Sequence, residues 1–136
     1  MVTPPTRRKA RAPLYVSIVS ANPETLDGLQ AYLSGAGVPS HGTRTVPDLA
    51  VVVPEWATAA VIFPDDFENE EVLIFVRELR RARPRVLSLI VTREPQFFRG
   101  AVQDDGRSLR PIVLPKPSFG WDILDAIRAH SETAQV

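Results

Sequence analysis

The chain contains no cysteine, so disulfides, thiolate metal sites and cysteine nucleophiles are excluded. No apolar run reaches the roughly 18 residues that span a bilayer. The first thirteen residues lack an apolar stretch, so they do not read as a secretory signal peptide. The expected location is the cytoplasm. Histidine is scarce. His41 and His130 stand alone, with no carboxylate or second histidine at ligand spacing, and are expected at the surface. Gly35-Ala36-Gly37 is not followed by the lysine and hydroxyl of a phosphate loop. No Gly-x-Ser-x-Gly, paired-histidine or dinucleotide motif occurs. The sequence gives no sign of an enzyme and implies no resident cofactor.

What is present is an ordinary globular composition, 44% hydrophobic over 136 residues, enough for one domain with a real core. The formal net charge is zero, but its distribution is uneven. Arg7, Arg8, Lys9 and Arg11 fall among three prolines and no acid. Setting those four aside leaves twelve basic residues against sixteen acids, a net of −4 for the remainder. Residues 1–13 are therefore expected to be a disordered basic arm. A solvated tail is its plain role. Contact with nucleic acid is the alternative, although four charges without interleaved aromatics make a small footprint.

From residue 14 onward, strand and helix patterns alternate. Apolar, β-branched runs at 14–19, 59–63, 87–92 and 111–114 suit strands buried on both faces, with a weaker run at 43–46. Helical stripes lie at 23–34, 70–83 and 121–130. A short helix is expected at 96–102, and a poor one at 48–53 that ends at Pro54. Five βα units predict an α/β domain over 14–130, with a five-stranded, doubly wound parallel sheet of order 2-1-3-4-5, helices on both faces and a tail at 131–136. The arginines at 77, 80, 81, 83 and 85 read as a solvated helix end favoured by the dipole.

In such a sheet, chemistry sits at the carboxyl ends of the strands. The loops there hold Ser20-Ala21-Asn22, Pro64-Asp65-Asp66, Thr92-Arg93-Glu94 and Lys116-Pro117. Their order and spacing resemble the receiver domain of two-component response regulators over residues 14–130. The match is carried by Asn22-Pro23 and Leu26, by Leu89-Ile90-Val91-Thr92, and by Lys116-Pro117. The resemblance implies a phosphoacceptor aspartate after the third strand, a hydroxyl at Thr92, a lysine at Lys116 and a cis Pro117. It also implies an acidic, Mg²⁺-holding pair after the first strand, where this chain has Ser20 and Ala21. The acceptor position falls on either Pro64 or Asp65, with Asp66 beside it.

Without the acidic pair, Mg²⁺ binding is expected to be weak at most, since this hard cation wants several oxygen ligands. Asp65, Asp66, Thr92, Lys116, Ser20 and Ala21 thus form a degenerate phosphoacceptor pocket. The aromatic that the family carries three residues before the lysine is replaced by Val113. Phe97, Phe98, Phe119 and Trp121 cluster with Val113 around the fourth helix, fifth strand and fifth helix. The resemblance marks that face as the surface for dimers and partners. The expected role is a signalling module that binds another protein or its own copy, independently of Mg²⁺-dependent aspartyl phosphorylation. Two alternatives stand beside it: a working receiver with an atypical Asp65 site, and a DNA-associated regulator that uses the basic arm.

Overall fold

The computed structural model describes residues 13–45, 53–54, 56–101 and 111–135, the last four by backbone alone. The basic arm, the expected helix at 48–53 apart from Val53, and the Asp104-Asp105-Gly106 turn lie outside these residues.

Five parallel strands form one sheet in the order β2-β1-β3-β4-β5. They are β1 (Val16–Ser20), β2 (Ser40–Thr43), β3 (Ala59–Phe63), β4 (Leu87–Thr92) and β5 (Ile112–Pro115). Val16 pairs with both Ser40 and Ala59, Ala59 with Leu87, and Leu89 with Ile112. Period-two alternation sorts the side chains into two cores. Val16, Ile18, Ala59, Val61, Phe63, Leu87, Leu89 and Val91 face one side. Val19, Ala60, Ile62, Ile90 and Val113 face the other.

Among the described residues, four α-helices cover those faces. The first core receives Leu26, Leu29 and Leu33 of α1 (Pro23–Gly35), and Ile123, Leu124 and Ile127 of α4 (Gly120–Gln135). The second receives Val72, Phe75, Val76 and Leu79 of α2 (Asn69–Ala82), and Phe98 of α3 (Pro95–Ala101). Burial on both faces explains why three of the central strands read as continuous apolar runs.

Local chemistry sets the helix ends. Asn22 Oδ1 accepts the N–H groups of Glu24 and Thr25 at 2.9 and 3.1 Å, and Pro23 fills the first helical position. At the other end Gly37 adopts φ +80°, and Val38 N–H returns to Leu33 O at 2.8 Å. Arg83 leaves the helix dipole role expected of it for a specific contact, donating Nε–H to Val53 O at 2.9 Å.

Two boundaries differ from the sequence expectation. The second strand is Ser40–Thr43 rather than 43–46. It is an edge strand, mostly half-buried, so it carries no apolar signature. The last helix runs through Gln135, past the expected end at His130. Ser131-Glu132-Thr133-Ala134-Gln135 contains no glycine or proline to stop it. His130 is half-buried there, and burial lowers its imidazole below the ordinary histidine value.

Candidate functional site

The parallel topology brings the loops after β1, β3, β4 and β5 to one end of the sheet. β3 ends at Phe63, and Pro64–Asp66 forms a single 3₁₀ turn closed by Phe67 N–H on Pro64 O at 2.9 Å. The turn buries Pro64 in the sheet end and swings Asp65 toward β4 and β5. Of the two candidate positions, Asp65 is therefore the one whose side chain enters the pocket. Asp66 is exposed on the far side of the turn.

The Asp65 carboxylate is only 7% exposed and is held on both oxygens. Thr92 Oγ1–H donates to Oδ1 at 2.7 Å. The Arg93 backbone N–H donates to Oδ2 at 3.0 Å. Lys116 Nζ stands 3.2 Å from Oδ2, and Arg93 Nε stands 3.3 Å from the same atom. Burial alone would raise this carboxyl, but the Thr92 and Arg93 hydrogen bonds and the Lys116 ammonium outweigh it and leave the group below its ordinary value. Asp65 is thus ionised and already neutralised near pH 7.

Its partners are themselves fixed. Thr92 is fully buried at the end of β4, and its hydroxyl also accepts Glu94 N–H at 3.0 Å. Lys116 follows β5, donates its backbone N–H to Thr92 O at 3.0 Å, and precedes a cis bond to Pro117, the geometry the resemblance implies. Its ammonium lies 5.9 Å from the Phe63 ring centroid.

The β1 loop does not join this cluster. Ser20 is 1% exposed, and its hydroxyl is turned into its own loop, donating to Asn22 O at 3.4 Å and accepting Asn22 N–H at 3.3 Å. Ala21 is half-buried and brings no ligand atom. Among the described residues, no group of three or more His, Cys, Asp or Glu could hold a metal ion. Ser20 and Ala21 therefore supply none of the acidic ligands through which the fold family would hold Mg²⁺. Among the described residues one carboxylate, Asp65, faces the pocket, and both of its oxygens already accept hydrogen bonds.

The expected aromatic face divides. Phe98 and Val113 are buried in the second core at 1% and 8% exposure, so neither belongs to a binding surface. Phe98 is the inward residue of α3 and Phe97 the outward one, with the rings meeting edge-on at 5.0 Å. Val113 points inward because the period of β5 places it there, toward α3. Phe119 and Trp121 do stay at the surface, each 52% exposed and stacked at 4.6 Å and 14°. The stack is set by the start of α4, where Phe119 N–H donates to Asp122 Oδ2 at 2.8 Å.

Two features were missed from sequence. Arg93 sits directly after Thr92 at a strand end, and that position was its only signal. Trp56, 68% exposed and edge-on to Tyr15 at 4.6 Å, lies before β3 at the opposite end of the sheet.

No protein-family model and no curated protein sequence matches the chain. Solved structures do. A CheY-like response regulator receiver domain from Methanospirillum hungatei JF-1 aligns at TM-score 0.71 and 19% identity, covering 90% of this chain and 96% of that one. A response regulator receiver protein from Sinorhizobium medicae WSM419 aligns at 0.73 and 12%, covering 91% and 98%. A putative pilus assembly-related protein from Burkholderia pseudomallei K96243 aligns at 0.62 and 24%, covering 90% of each chain. The strand order, the flanking helices and these alignments give the chain the CheY-like receiver fold.

Proposed function

We propose, on the premise that this chain folds as a receiver domain, that it is a signalling module which works by binding a protein partner or a second copy of itself, without Mg²⁺-dependent aspartyl phosphorylation. The observation that supports this is the state of Asp65. A carboxylate that attacks phosphorus must present a free oxygen, and the transferred group's charge must be neutralised as it arrives. Here both oxygens are engaged, no second carboxylate among the described residues faces the pocket, and the cations are paired with Asp65 itself.

The contact surface is assigned to the exposed Phe119–Trp121 stack, with Phe97 on the other side of β5. Rigid aromatics dominate interface energetics. Without a phosphoryl switch, this surface must be competent in the resting state. On this reading the module works in the cytoplasm, without a cofactor or a catalytic activity of its own. No helix among the described residues is long and apolar enough to cross a membrane.

The test compares two classes of variant by sedimentation and by pull-down from the native host. Phe119→Ala and Trp121→Ala are expected to weaken association by about 1–2 kcal/mol each, and Asp65→Asn to leave it nearly intact. Incubation with acetyl phosphate and Mg²⁺ is expected to leave the chain unmodified. Stoichiometric phosphorylation at Asp65, or loss of association in Asp65→Asn alone, returns the domain to the conventional receivers.

A further inference from the structure

We infer that Arg93 is the resident counter-cation of the pocket: its guanidinium, beside Lys116, neutralises Asp65 and keeps divalent cations out. The inference rests on the metal-independent reading above and gives it a residue. Lys116 alone would balance the one carboxylate. Arg93 adds a second positive charge at the same oxygen, so Asp65, Lys116 and Arg93 together sum to +1. A dication approaching Oδ2 meets two cations within about 5 Å. In water, one unit charge at that distance repels a dication by enough to cost about tenfold in affinity.

The two cations play different parts. Lys116 is largely enclosed, at 29% side-chain exposure, and sits in the sheet end. Arg93 is 70% exposed and lies at the solvent-facing side of the carboxylate. Its backbone N–H reaches the same oxygen as its side chain, so one residue clamps Oδ2 twice. A substitution at Arg93 removes the side-chain clamp and leaves the backbone hydrogen bond in place. Because the guanidinium is mostly solvated, the fold does not depend on it.

The experiment titrates Mn²⁺ into the ¹⁵N-labelled full chain and follows paramagnetic broadening of the Asp65, Thr92 and Lys116 amides. Wild type, Arg93→Ala and Arg93→Lys are compared, and each spectrum reports its own fold. Arg93→Ala is expected to show selective broadening at these amides with at least about a tenfold gain in Mn²⁺ affinity over wild type. Arg93→Lys, which keeps the charge, is expected to resemble wild type. If Arg93→Ala stays as unresponsive as wild type, the inference is overturned, and cation exclusion belongs to Ser20 and Ala21 alone. The phosphorylation-independent function then still stands. If Arg93→Lys broadens as strongly as Arg93→Ala, charge is not the excluding agent and the inference also fails. Broadening in the wild type at micromolar Mn²⁺ overturns both this inference and the function it rests on.

Discussion

Two halves of the same sheet end are built in opposite ways. The half built by β3, β4 and β5 keeps an acid, a hydroxyl and a lysine in mutual contact around Asp65. The half built by β1 has closed on itself, with Ser20 and Asn22 satisfying one another and no charge present. The retained half is a group of buried or half-buried polar residues that need one another. Asp65 and Lys116 are the enclosed charges of this group, and removing either would strand the other. A pair of carboxylates at Ser20 and Ala21 would have no such mutual support without a metal, because like charges side by side destabilise a fold. The difference shows which parts of the pocket also serve the structure.

The largest effect is expected from forcing an acid back into the closed half. Ser20 is 1% exposed, so Ser20→Asp buries a carboxylate with no partner and should cost roughly 2–4 kcal/mol at pH 7. Urea unfolding measures it. A neutral result would mean that the β1 loop is open to solvent and that the two halves differ only in sequence.

A smaller loss is expected in the retained half. Lys116→Met leaves Asp65 to Thr92 and a solvated arginine and should cost about 1–3 kcal/mol at neutral pH. Its pH dependence sharpens the comparison. Because the Asp65 carboxyl is lowered in the folded state, its stabilisation is full above the unfolded aspartate value near ~4 and is lost as pH falls through the lower folded value. In Lys116→Met the depression shrinks, so that acid-dependent loss should be smaller than in wild type. Paired unfolding curves at neutral pH and below the unfolded value decide it. Equal acid sensitivity in the two proteins would show that Thr92 and Arg93 set the carboxyl without help from Lys116.

The smallest effect is expected at Asn22, which serves the closed half as a helix cap. Asn22→Ala frees the Glu24 and Thr25 N–H groups and should cost about 1 kcal/mol, read as a drop in the thermal midpoint. A loss as large as that of Ser20→Asp would mean that the loop, rather than the buried hydroxyl, organises this half.

Most of the fold was legible because the central strands are buried on both faces and declare themselves as apolar runs. The strands at 59–63 and 87–92 match the observed bounds. The edge strand Ser40–Thr43 was misplaced, since half-burial gives a polar strand no pattern to read. At the site, Lys116, Thr92 and the cis Pro117 are what the resemblance to receiver domains implies. Asp65 could be separated from Pro64 only by the direction of a 3₁₀ turn, which no periodicity encodes. Arg93 was invisible for a related reason. Its role depends on where a long side chain folds back, and an arginine after a strand looks like any solvated one. Phe98 and Val113, grouped with the interaction face, lie instead in the second core, because the inward side of α3 and the alternation of β5 carry them there.

The free edge of the sheet carries one more consequence. Lys116 directs its N–H toward β4, so by strand alternation residues 111, 113 and 115 direct theirs outward. Two of those three are prolines and have none, and the Val113 carbonyl on that edge is taken by Arg99 at 3.1 Å. A strand from another molecule would find a single donor to pair with. Crowded in a cell or concentrated in a tube, copies of this domain that meet along β5 therefore meet through side chains, and continuous cross-molecular ladders, the route to fibrils, have nowhere to begin on that edge.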